Sequence, residues 1–293
     1  MSLPASSRRL LVIFNPTAGA RRRRRLDRVL AELARLGCAV TLRATQARGD
    51  AEAFARAADP NAVDLVVAAG GDGTINEIIN GLARSSLPLA LIPLGTANVL
   101  AREIGLPRAP RRIARAIASG TPLPVYPGLA NGRRFVMMAG IGIDARIVQG
   151  IAPRLKRAGG KLAYVVSGIQ SILRDRGPRY RVTIDGVPDA AAAIIIAKGH
   201  FYGGRFVVAR AARLDTPSLH AVLMARPGRW NIVRYGVAIA LGRLDRLPDV
   251  RVIEARRVTI AGPSGEAVQA DGDLVATLPL TVTVAETPLL LVH

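Results

Sequence analysis

Short apolar runs alternate with segments of helical periodicity over the first 120 residues. Apolar positions recur every three or four residues in the helical segments, as at Leu26, Val29, Leu30 and Leu33, whereas the apolar runs are continuous. Strands are predicted at 10–14, 40–44, 63–69 and 89–93, and the helices between and after them end near residues 37, 58, 83, 105 and 119. This βαβα order predicts an α/β domain built on a doubly wound, mostly parallel sheet.

The pattern changes after residues 119–128, which are rich in proline and glycine. Strands are predicted beyond this point at 135–139, 181–185, 193–197, 219–224, 250–260 and 280–285, and helices near 162–173 and 230–241. This part of the chain therefore predicts a β-rich domain, in the form of a β-sandwich. We place the α/β domain at residues 1–125 and the β-sandwich at 126–293, and we leave open a return of the C-terminal tail, 284–293, to the first domain.

A chain of 293 residues, half of them hydrophobic, can bury a substantial core and is long enough for two domains. No window approaches the roughly 18 apolar residues that a membrane-spanning helix requires, and the N-terminal segment has no recognisable secretory signal. The single cysteine, Cys38, excludes an intramolecular disulfide and fits a reducing compartment. These features predict a soluble, cytoplasmic protein.

Basic residues number 41 and acidic residues 21, which gives a net charge of +20. This excess favours anionic partners such as nucleic acid, phosphorylated ligands or acidic lipid headgroups, although a genome that prefers arginine gives the same excess. Aromatic residues make up only 4% of the chain, and no zinc-finger or RNP pattern occurs. Nucleic acid is therefore not the expected partner.

Three loops that follow predicted strands carry the candidate chemistry. They are NPTAG at 15–19, GGDGT at 70–74 and LGTAN at 94–98. Each combines glycine, which lets the backbone approach a ligand closely, with hydroxyl or amide side chains. Ligands of open α/β sheets bind beyond the carboxyl ends of the strands, and free N–H groups at helix N-termini hold phosphate. The three loops together therefore predict a nucleotide site.

Two common phosphate-binding motifs are missing. The sequence has no Gly-x-x-x-x-Gly-Lys-Ser/Thr, which argues against a Walker-type ATPase, and its first loop is not Gly-x-Gly-x-x-Gly, which disfavours a dinucleotide dehydrogenase. A carboxylate that faces phosphates is repelled unless a cation bridges them. Asp72, inside the second loop, therefore suggests a Mg²⁺-dependent phosphoryl donor.

Six motifs in this order resemble the diacylglycerol kinase catalytic-domain family, which includes bacterial lipid kinases and the sphingosine and ceramide kinases. They are FNPTAG, GGDGTINEIING, PLGTANVLARE, GIGIDA (140–145), GHFYGGRFVVARAARLD (199–215) and ADGD (270–273). The resemblance spans essentially the whole chain. It implies an NAD-kinase-like, ATP-binding α/β domain, a C-terminal β-sandwich and transfer of the ATP γ-phosphate to a lipid hydroxyl.

The resemblance also implies which residues bind ATP and Mg²⁺. The nucleotide-binding positions that it implies are Asn15, Pro16, Thr17, Ala18, Gly19, Thr45, Gly70, Gly71, Asp72, Gly73, Thr74, Ile75, Asn76, Glu77, Gly95, Thr96 and Asn98. Asp72 is implied to lie near the Mg²⁺–phosphate complex. Asp271 and Asp273 occupy the family's Asp-Gly-Glu position, which supplies the catalytic carboxylate. Phosphoryl transfer to an alcohol needs a carboxylate that accepts the hydroxyl proton, and of the two acids we slightly favour Asp273.

Two positions depart from the family pattern by the loss of an acid. Asn98 is followed by valine where relatives often have aspartate, and Thr216 stands where relatives often have the second aspartate of Leu-Asp-Asp-Gly. Some relatives hold a structural Mg²⁺ through that aspartate and flanking carbonyls, at positions matched here by Arg213, Thr216 and Ser218. Threonine is a poor substitute for a carboxylate as a ligand of a hard cation, which argues against this ancillary metal.

Three classes of function are compatible with these motifs. The leading one is a lipid kinase that acts on diacylglycerol, phosphatidylglycerol, a sphingoid base or a related lipid. An NAD kinase shares the GGDGT loop, but NPTAG and LGTAN have the lipid-kinase form. The third is a non-catalytic nucleotide- or lipid-binding regulator, against which the presence of Asp72, Thr74, Asp271 and Asp273 argues. The sequence identifies neither the acceptor lipid nor the oligomeric state, and a homodimer stays open.

Clusters of basic residues suggest a peripheral contact with anionic membrane. The candidates for this contact are Arg154, Lys156, Arg157, Lys161, Arg174 and Arg176. A further run, Arg21–Arg25, begins the first predicted helix and either reaches nucleotide phosphates or is solvated, with solvation favoured about two to one.

Overall fold

The computed structural model describes residues 8–16, 20–142 and 179–293. In chain order its strands are β1 (Arg9–Phe14), β2 (Ala39–Ala44), β3 (Leu65–Gly70), β4 (Leu89–Pro93), β5 (Pro122–Val125), β6 (Gly128–Ala130), β7 (Arg133–Phe135), β8 (Met138–Ile141), β9 (Tyr180–Ile184), β10 (Val187–Ala191), β11 (Ala193–Ala197), β12 (Phe201–Tyr202), β13 (Phe206–Val207), β14 (Leu219–Met224), β15 (Val250–Ala255), β16 (Arg257–Ala261), β17 (Ala267–Ala270), β18 (Asp273–Thr277), β19 (Leu280–Val284) and β20 (Leu289–Val292). The helices are α1 (Ala20–Arg35), α2 (Asp50–Arg56), α3 (Asp72–Gly81), α4 (Val99–Glu103), α5 (Pro110–Ser119) and α6 (Arg229–Ala240).

The described residues form two compact units. The first ends at Val125 and also includes the C-terminal Thr287–His293, and the second comprises Tyr126–Glu286. The chain returns to the first unit because β20 pairs with β4 in parallel and with β5 in antiparallel orientation.

The first unit is built on a mixed sheet with the strand order β2-β1-β3-β4-β20-β5. Strands β1 to β4 are parallel to one another, and every residue of β3 and β4 is buried, as expected for the continuous apolar runs of a sheet covered on both faces. The chain passes from β1 to β2 on one side of β1 and then to β3 on the other side. The order of strands therefore reverses between β1 and β3, where open α/β sheets bind their ligands.

Helices pack on this sheet through their apolar faces. Leu26, Val29 and Leu33 of α1, together with the buried residues of α5, form one core with alternate residues of β1, β3 and β4. Helix α2 packs closely on α3, since a Cβ atom at Gly81 would lie 2.4 Å from the carbonyl oxygen of Glu52. The α/β fold predicted from the sequence is confirmed, and β5 makes the sheet mixed.

The second unit is a β-sandwich of two antiparallel sheets, as predicted. Their strand orders are β10-β9-β16-β19-β6-β7 and β15-β14-β11-β8-β17-β18, and β12 and β13 form a small separate hairpin. One core fills the space between the two sheets; Phe135, Tyr180 and Val258 come from the first sheet, and Ile194 and Leu223 from the second.

Two strands predicted as continuous are each divided between the two sheets. The predicted strand 250–260 is β15 and β16, which are separated at Arg256, because the carboxylate of Asp185 accepts the N–H groups of Arg256 and Arg257 at 3.1 and 2.8 Å. The predicted strand 135–139 is β7 and β8, which are separated by Val136 and Met137. In both places a carboxylate from elsewhere in the chain binds the N–H groups that a continuous strand would use for pairing.

Among the described residues, no helix is both long and apolar enough to cross a membrane. The predicted helix near 162–173, the motif residues 143–145 and all six basic residues proposed for membrane contact lie outside the described residues.

Candidate functional site

The loops that follow β1 and β3 are joined directly to each other. The backbone N–H of Asn15 donates to the carbonyl oxygen of Ala69 at 3.1 Å, and its side-chain Nδ2 donates to Thr74 Oγ1 at 3.2 Å. Asn15 and Thr74 come from two of the three predicted nucleotide loops. Pro16 is exposed beside Asn15, whereas Thr17, Ala18 and Gly19 lie outside the described residues.

The loops that follow β3 and β4 touch backbone to backbone. A Cβ atom at Gly95 would lie 2.5 Å from the Cα atom of Gly71, and a Cβ atom at Gly70 would lie 2.6 Å from Thr74 Cβ. The backbone N–H of Leu94 also donates to the carbonyl oxygen of Gly70 at 2.8 Å. A larger residue at Gly95 would separate the two loops, and a larger residue at Gly70 would displace Thr74 within the second loop.

The carboxylate of Asp72 crosses from the second loop to the third. One of its oxygens accepts the backbone N–H of Asn98 at 2.9 Å, and the other accepts that of Val99 at 2.7 Å. These N–H groups belong to the first turn of α4, so Asp72 serves as the anion at that helix terminus. The position of this carboxylate near the Mg²⁺–phosphate complex stays a prediction, and in the structure both of its oxygens accept backbone N–H groups. Burial raises the pKa of Asp72 above its usual range, although the hydrogen bonds lower it in part.

Asn98 closes the third loop on itself. Its side chain accepts the N–H of Gly95 and donates to the carbonyl oxygen of the same residue, both at 2.8 Å. The backbone φ of Asn98 is 48°, in the left-handed region that asparagine tolerates better than most residues. Thr96, between them, is exposed and accepts a hydrogen bond from Arg22 Nη2 at 3.2 Å. One of the arginines whose role the sequence left open is therefore placed at a predicted nucleotide loop.

Several predicted nucleotide-binding residues are buried and have partners within the protein. Thr74, Ile75 and Asn76 are buried in the first turns of α3, and Asn80 Nδ2 donates to Asn76 Oδ1 at 3.2 Å. Thr45 is buried as well, and its N–H and its hydroxyl both donate to the carbonyl oxygen of Phe14, at 2.8 and 3.4 Å. These buried side chains support the loops from the interior of the first unit.

Gly71, Asp72 and Gly73 are partly exposed at the N-terminus of α3, and Glu77, one turn further along, is partly exposed too. The first-turn N–H groups of a helix have no acceptor within the helix. The α3 terminus therefore suits the binding of a phosphate group.

In the second unit, Asp271 and Gly272 form the tight turn between β17 and β18. Both have positive φ, 50° and 87°, as the two central residues of a type I′ hairpin require. The Asp271 carboxylate accepts three successive backbone N–H groups, of residues 136, 137 and 138, at 2.8, 2.9 and 3.1 Å. Asp273, which follows the turn, begins β18 opposite Ala270 and is partly exposed. The two acids therefore have different environments, which the sequence could not show.

The residues implied for an ancillary metal do not fit one. The carbonyl oxygen of Arg213 accepts hydrogen bonds from Lys198 Nζ and from Thr216 Oγ1, so both of its lone pairs are used. Lys198 is fully buried, and its ammonium group supplies a positive charge at the point where a cation would bind. The Arg213 guanidinium pairs with Asp215 at 2.9 Å and holds the pKa of that carboxyl below its usual range. Thr216 and Ser218 contact each other through their hydroxyls at 3.4 Å.

No group of three or more His, Cys, Asp or Glu side chains within residues 8–16, 20–142 and 179–293 is arranged to hold a metal ion. A magnesium ion at 213–218 would meet a buried ammonium and a carbonyl that already has two donors. The sequence offered no signal for the role of Lys198, since a single lysine after an apolar strand has no recognisable pattern.

Two family models match the chain in succession. The diacylglycerol kinase catalytic domain matches residues 9–129, and the YegS C-terminal NAD kinase beta sandwich-like domain matches residues 137–293. Curated relatives include a diacylglycerol kinase of Bacillus subtilis, 29% identical over 93% of this chain and 92% of the relative, and one of Staphylococcus aureus, 26% identical over 93% and 88%.

Solved structures show the same fold. A chain from Bacillus anthracis superposes with a TM-score of 0.83 at 24% identity, over 98% of this chain and 95% of the other. A diacylglycerol kinase structure from the same organism has a TM-score of 0.75 at 22% identity, over 98% and 97%.

Proposed function

Because this chain belongs to the diacylglycerol kinase family, we propose that it is an ATP-dependent lipid kinase. The proposed reaction transfers the γ-phosphate of ATP to a hydroxyl group of diacylglycerol or a related lipid, such as phosphatidylglycerol or a sphingoid base. The observation that carries the proposal is the arrangement of the three loops at the carboxyl ends of β1, β3 and β4. Asn15 joins the first loop to the second, and glycine contacts and the Asp72 hydrogen bonds join the second to the third, around the partly exposed N-terminus of α3.

In this proposal the N-terminus of α3 binds phosphate groups of the nucleotide. The N–H groups of the first turn supply donors, and the helix dipole favours an anion there. Asp72 acts as a positioning residue, because its two oxygens fix the first turn of α4 and with it the loop that carries Thr96. The charge that develops on the transferred phosphoryl group would be neutralised by Mg²⁺ bound together with ATP.

Asp273 is the proposed proton acceptor for the lipid hydroxyl. A carboxylate that accepts this proton as the new O–P bond forms leaves a neutral phosphoester oxygen. Asp271 is assigned to positioning, since its oxygens accept N–H groups of residues 136, 137 and 138 and thereby fix the hairpin on which Asp273 stands. The sequence had left the choice between the two acids almost even.

Incubation of the purified protein with Mg-ATP and a total lipid extract tests this function. Mass spectrometry should identify one or more lipids that gain a phosphate, and Asp273→Asn should slow the gain by about 10²–10⁴ while the protein stays folded. NAD⁺ serves as the acceptor in a parallel reaction, because an NAD kinase shares the GGDGT loop. Formation of NADP⁺ without any phosphorylated lipid would contradict the proposal and identify an NAD kinase. No transfer to either acceptor would contradict it in favour of a non-catalytic regulator.

A further inference from the structure

Helix α6 exposes an apolar stripe instead of a polar face. Trp230, Val233, Val237 and Leu241 lie at helical spacing on one side, and they are 76%, 41%, 53% and 64% exposed. Gly236 and Ala240, two further exposed positions of this side, carry no polar group, and the exposed Arg229 lies at its N-terminal end. A surface helix of a soluble domain usually turns its polar residues outward. We call these four large residues the α6 stripe.

The opposite side of α6 is fixed to the body of the second unit. Tyr235 and Ala238 are buried, and the Tyr235 hydroxyl and the Arg234 guanidinium both donate to Asp249. Just after the helix, Arg210 donates to the carbonyl oxygen of Gly242 and pairs with Asp245 at 3.0 Å. These contacts attach the inner side of α6 to the second unit, so the stripe on the other side faces outward.

We infer that the α6 stripe is a docking surface for an anionic lipid bilayer, in which α6 lies in the plane of the interface. The charges around the stripe support this occupant. Residues 226–249 contain five arginines and two aspartates, and both aspartates are paired with arginine. Arg226 and Arg229 precede the stripe, Arg243 and Arg246 follow it, and all four are exposed. Basic residues at the border of an apolar helix face attract acidic headgroups while the apolar side chains enter the acyl boundary.

Trp230 strengthens the case for a bilayer. Tryptophan favours the headgroup level, where its ring is apolar and its N–H can remain hydrated. The Arg229 guanidinium lies 5.8 Å from the centre of the Trp230 ring, which places a cation and an aromatic ring side by side at one end of the helix.

A second copy of the chain fits the stripe less well. Four exposed side chains of this size offer roughly 400 Å², about half of the ~800 Å² per partner that a stable interface buries. Two copies that met through this helix would also bring arginines of both chains together at a protein of net charge +20. Charge repulsion therefore disfavours the dimer and favours the acidic lipid.

Trp230 is the chain's only tryptophan and reports directly on the stripe. Full-length protein is mixed with vesicles of phosphatidylcholine alone or with about 30% phosphatidylglycerol, without ATP or Mg²⁺. We expect a blue shift of the Trp230 emission with the anionic vesicles, and quenching when brominated lipids replace part of the acyl chains. An unshifted emission, or an equal shift with both vesicle types, would overturn the inference.

The variant that tests the stripe is Val233→Ser/Val237→Ser/Leu241→Ser, which keeps the tryptophan. It should sediment with anionic vesicles at least about tenfold more weakly than the wild type, because the apolar side chains no longer enter the bilayer. The matched control is Leu123→Ser/Val187→Ser, which changes two exposed apolar residues outside α6, and it should bind like the wild type. Equal losses in both variants would assign the binding to general hydrophobicity and contradict the inference.

Two further arms separate the membrane from the alternatives. A blue shift that grows with protein concentration in the absence of lipid would show self-association through the stripe and overturn the inference. The membrane contact deepens the proposed function, because a lipid kinase must reach a lipid at the bilayer. Vesicle binding is measured without turnover, so a protein that binds vesicles and phosphorylates no lipid would keep this inference and contradict only the kinase proposal.

Discussion

Substitution of Asp72 distinguishes a positioning role from a metal-binding role for the acid of the glycine loop. In Asp72→Ala the N–H groups of Asn98 and Val99 both lose their acceptor. In Asp72→Asn the side chain keeps its shape, and its amide oxygen can still accept one of the two N–H groups. The two variants therefore remove the same charge but different numbers of hydrogen bonds.

The expected changes in the free energy of unfolding follow from these hydrogen bonds. A buried N–H left without an acceptor costs about 1–3 kcal/mol, so the loss of both acceptors in the alanine variant should cost about 2–6 kcal/mol, towards the lower end where water replaces the carboxylate. The asparagine variant loses one hydrogen bond but no longer has to bury a charge, which is the main cause of the raised pKa of Asp72. We expect its stability to stay within about 1 kcal/mol of the wild type.

The activities should follow the same order. A positioning role predicts that Asp72→Asn keeps much more activity than Asp72→Ala, and that the Mg²⁺ concentration for half-maximal turnover is unchanged in both. Urea denaturation gives the stabilities, and a Mg²⁺ titration at saturating ATP gives the metal dependence. Asp27→Asn, which alters an exposed surface ion pair with Arg23, is the control and should leave both measurements unchanged. Equal loss of activity in the two Asp72 variants, with a raised Mg²⁺ requirement and no loss of stability, would refute the positioning role.

The pH dependence gives a second signature of Asp72. The pKa of this carboxyl is raised in the folded state above the ordinary value of 3.8, so the folded protein keeps this proton to a higher pH than the unfolded chain. Its contribution to stability is therefore complete below about pH 3.8 and is lost as the pH rises through the folded-state pKa. Asp72→Asn lacks this proton. The unfolding free energy of the wild type minus that of Asp72→Asn should fall as the pH rises from 4 towards 7, and a rise in this signed difference would contradict the assignment.

Three further substitutions test other parts of the proposed site. Gly95→Ala places a methyl group 2.5 Å from the facing glycine Cα and should weaken ATP binding about tenfold or more in calorimetry, whereas Gly236→Ala, in open space on a helix, should leave it unchanged and add up to about 1 kcal/mol of stability. Lys198→Met should lower the unfolding free energy by about 2 kcal/mol. EDTA should not shift the melting temperature of the wild type, and a marked shift would show that a metal ion binds at residues 213–218. Asp273→Asn should lower kcat by about 10²–10⁴ with an unchanged melting temperature, whereas Asp271→Asn should lower both.

The sequence predicted those parts of the fold that depend on local patterns. Continuous apolar runs predicted β4 and β11 residue for residue and β3 to within two residues, and helical periodicity predicted α1, α5 and α6. The divided strands escaped prediction because strand-forming residues lie on both sides of Arg256, and because the apolar run continues without interruption through Val136. The feature that ends each strand is a carboxylate far away in the sequence, Asp185 in one case and Asp271 in the other. No local pattern can contain a partner that is 71 or 135 residues away.

The candidate site was predictable in its loops but not in the direction of its side chains. Glycine and hydroxyl residues at strand ends indicated the three loops. The close approach of Gly71 and Gly95 brings the second and third loops together. The interpretation of Asp72 assumed that an acid in a phosphate loop faces the phosphate. The structure shows a nearer donor pair in the first turn of α4, which attracts an anion as a phosphate loop attracts phosphate.

Asp72 and Asp271 have the same structural role in the two units, since each carboxylate accepts successive backbone N–H groups of another segment. A carboxylate has two oxygens in a rigid plane, so it can hold successive N–H groups of a neighbouring segment in one orientation, and charge makes these bonds stronger than those of an amide. Each acid sits beside glycine in a tight loop, where its short side chain reaches a backbone that a longer glutamate would overshoot. Oxygens engaged in this way are poorly placed to accept a proton from a substrate. We therefore propose proton transfer for Asp273, which follows the turn instead of forming it. In this proposal the Asp-Gly-Asp sequence carries two carboxylates with different tasks: the first fixes the hairpin, and the second is presented by it.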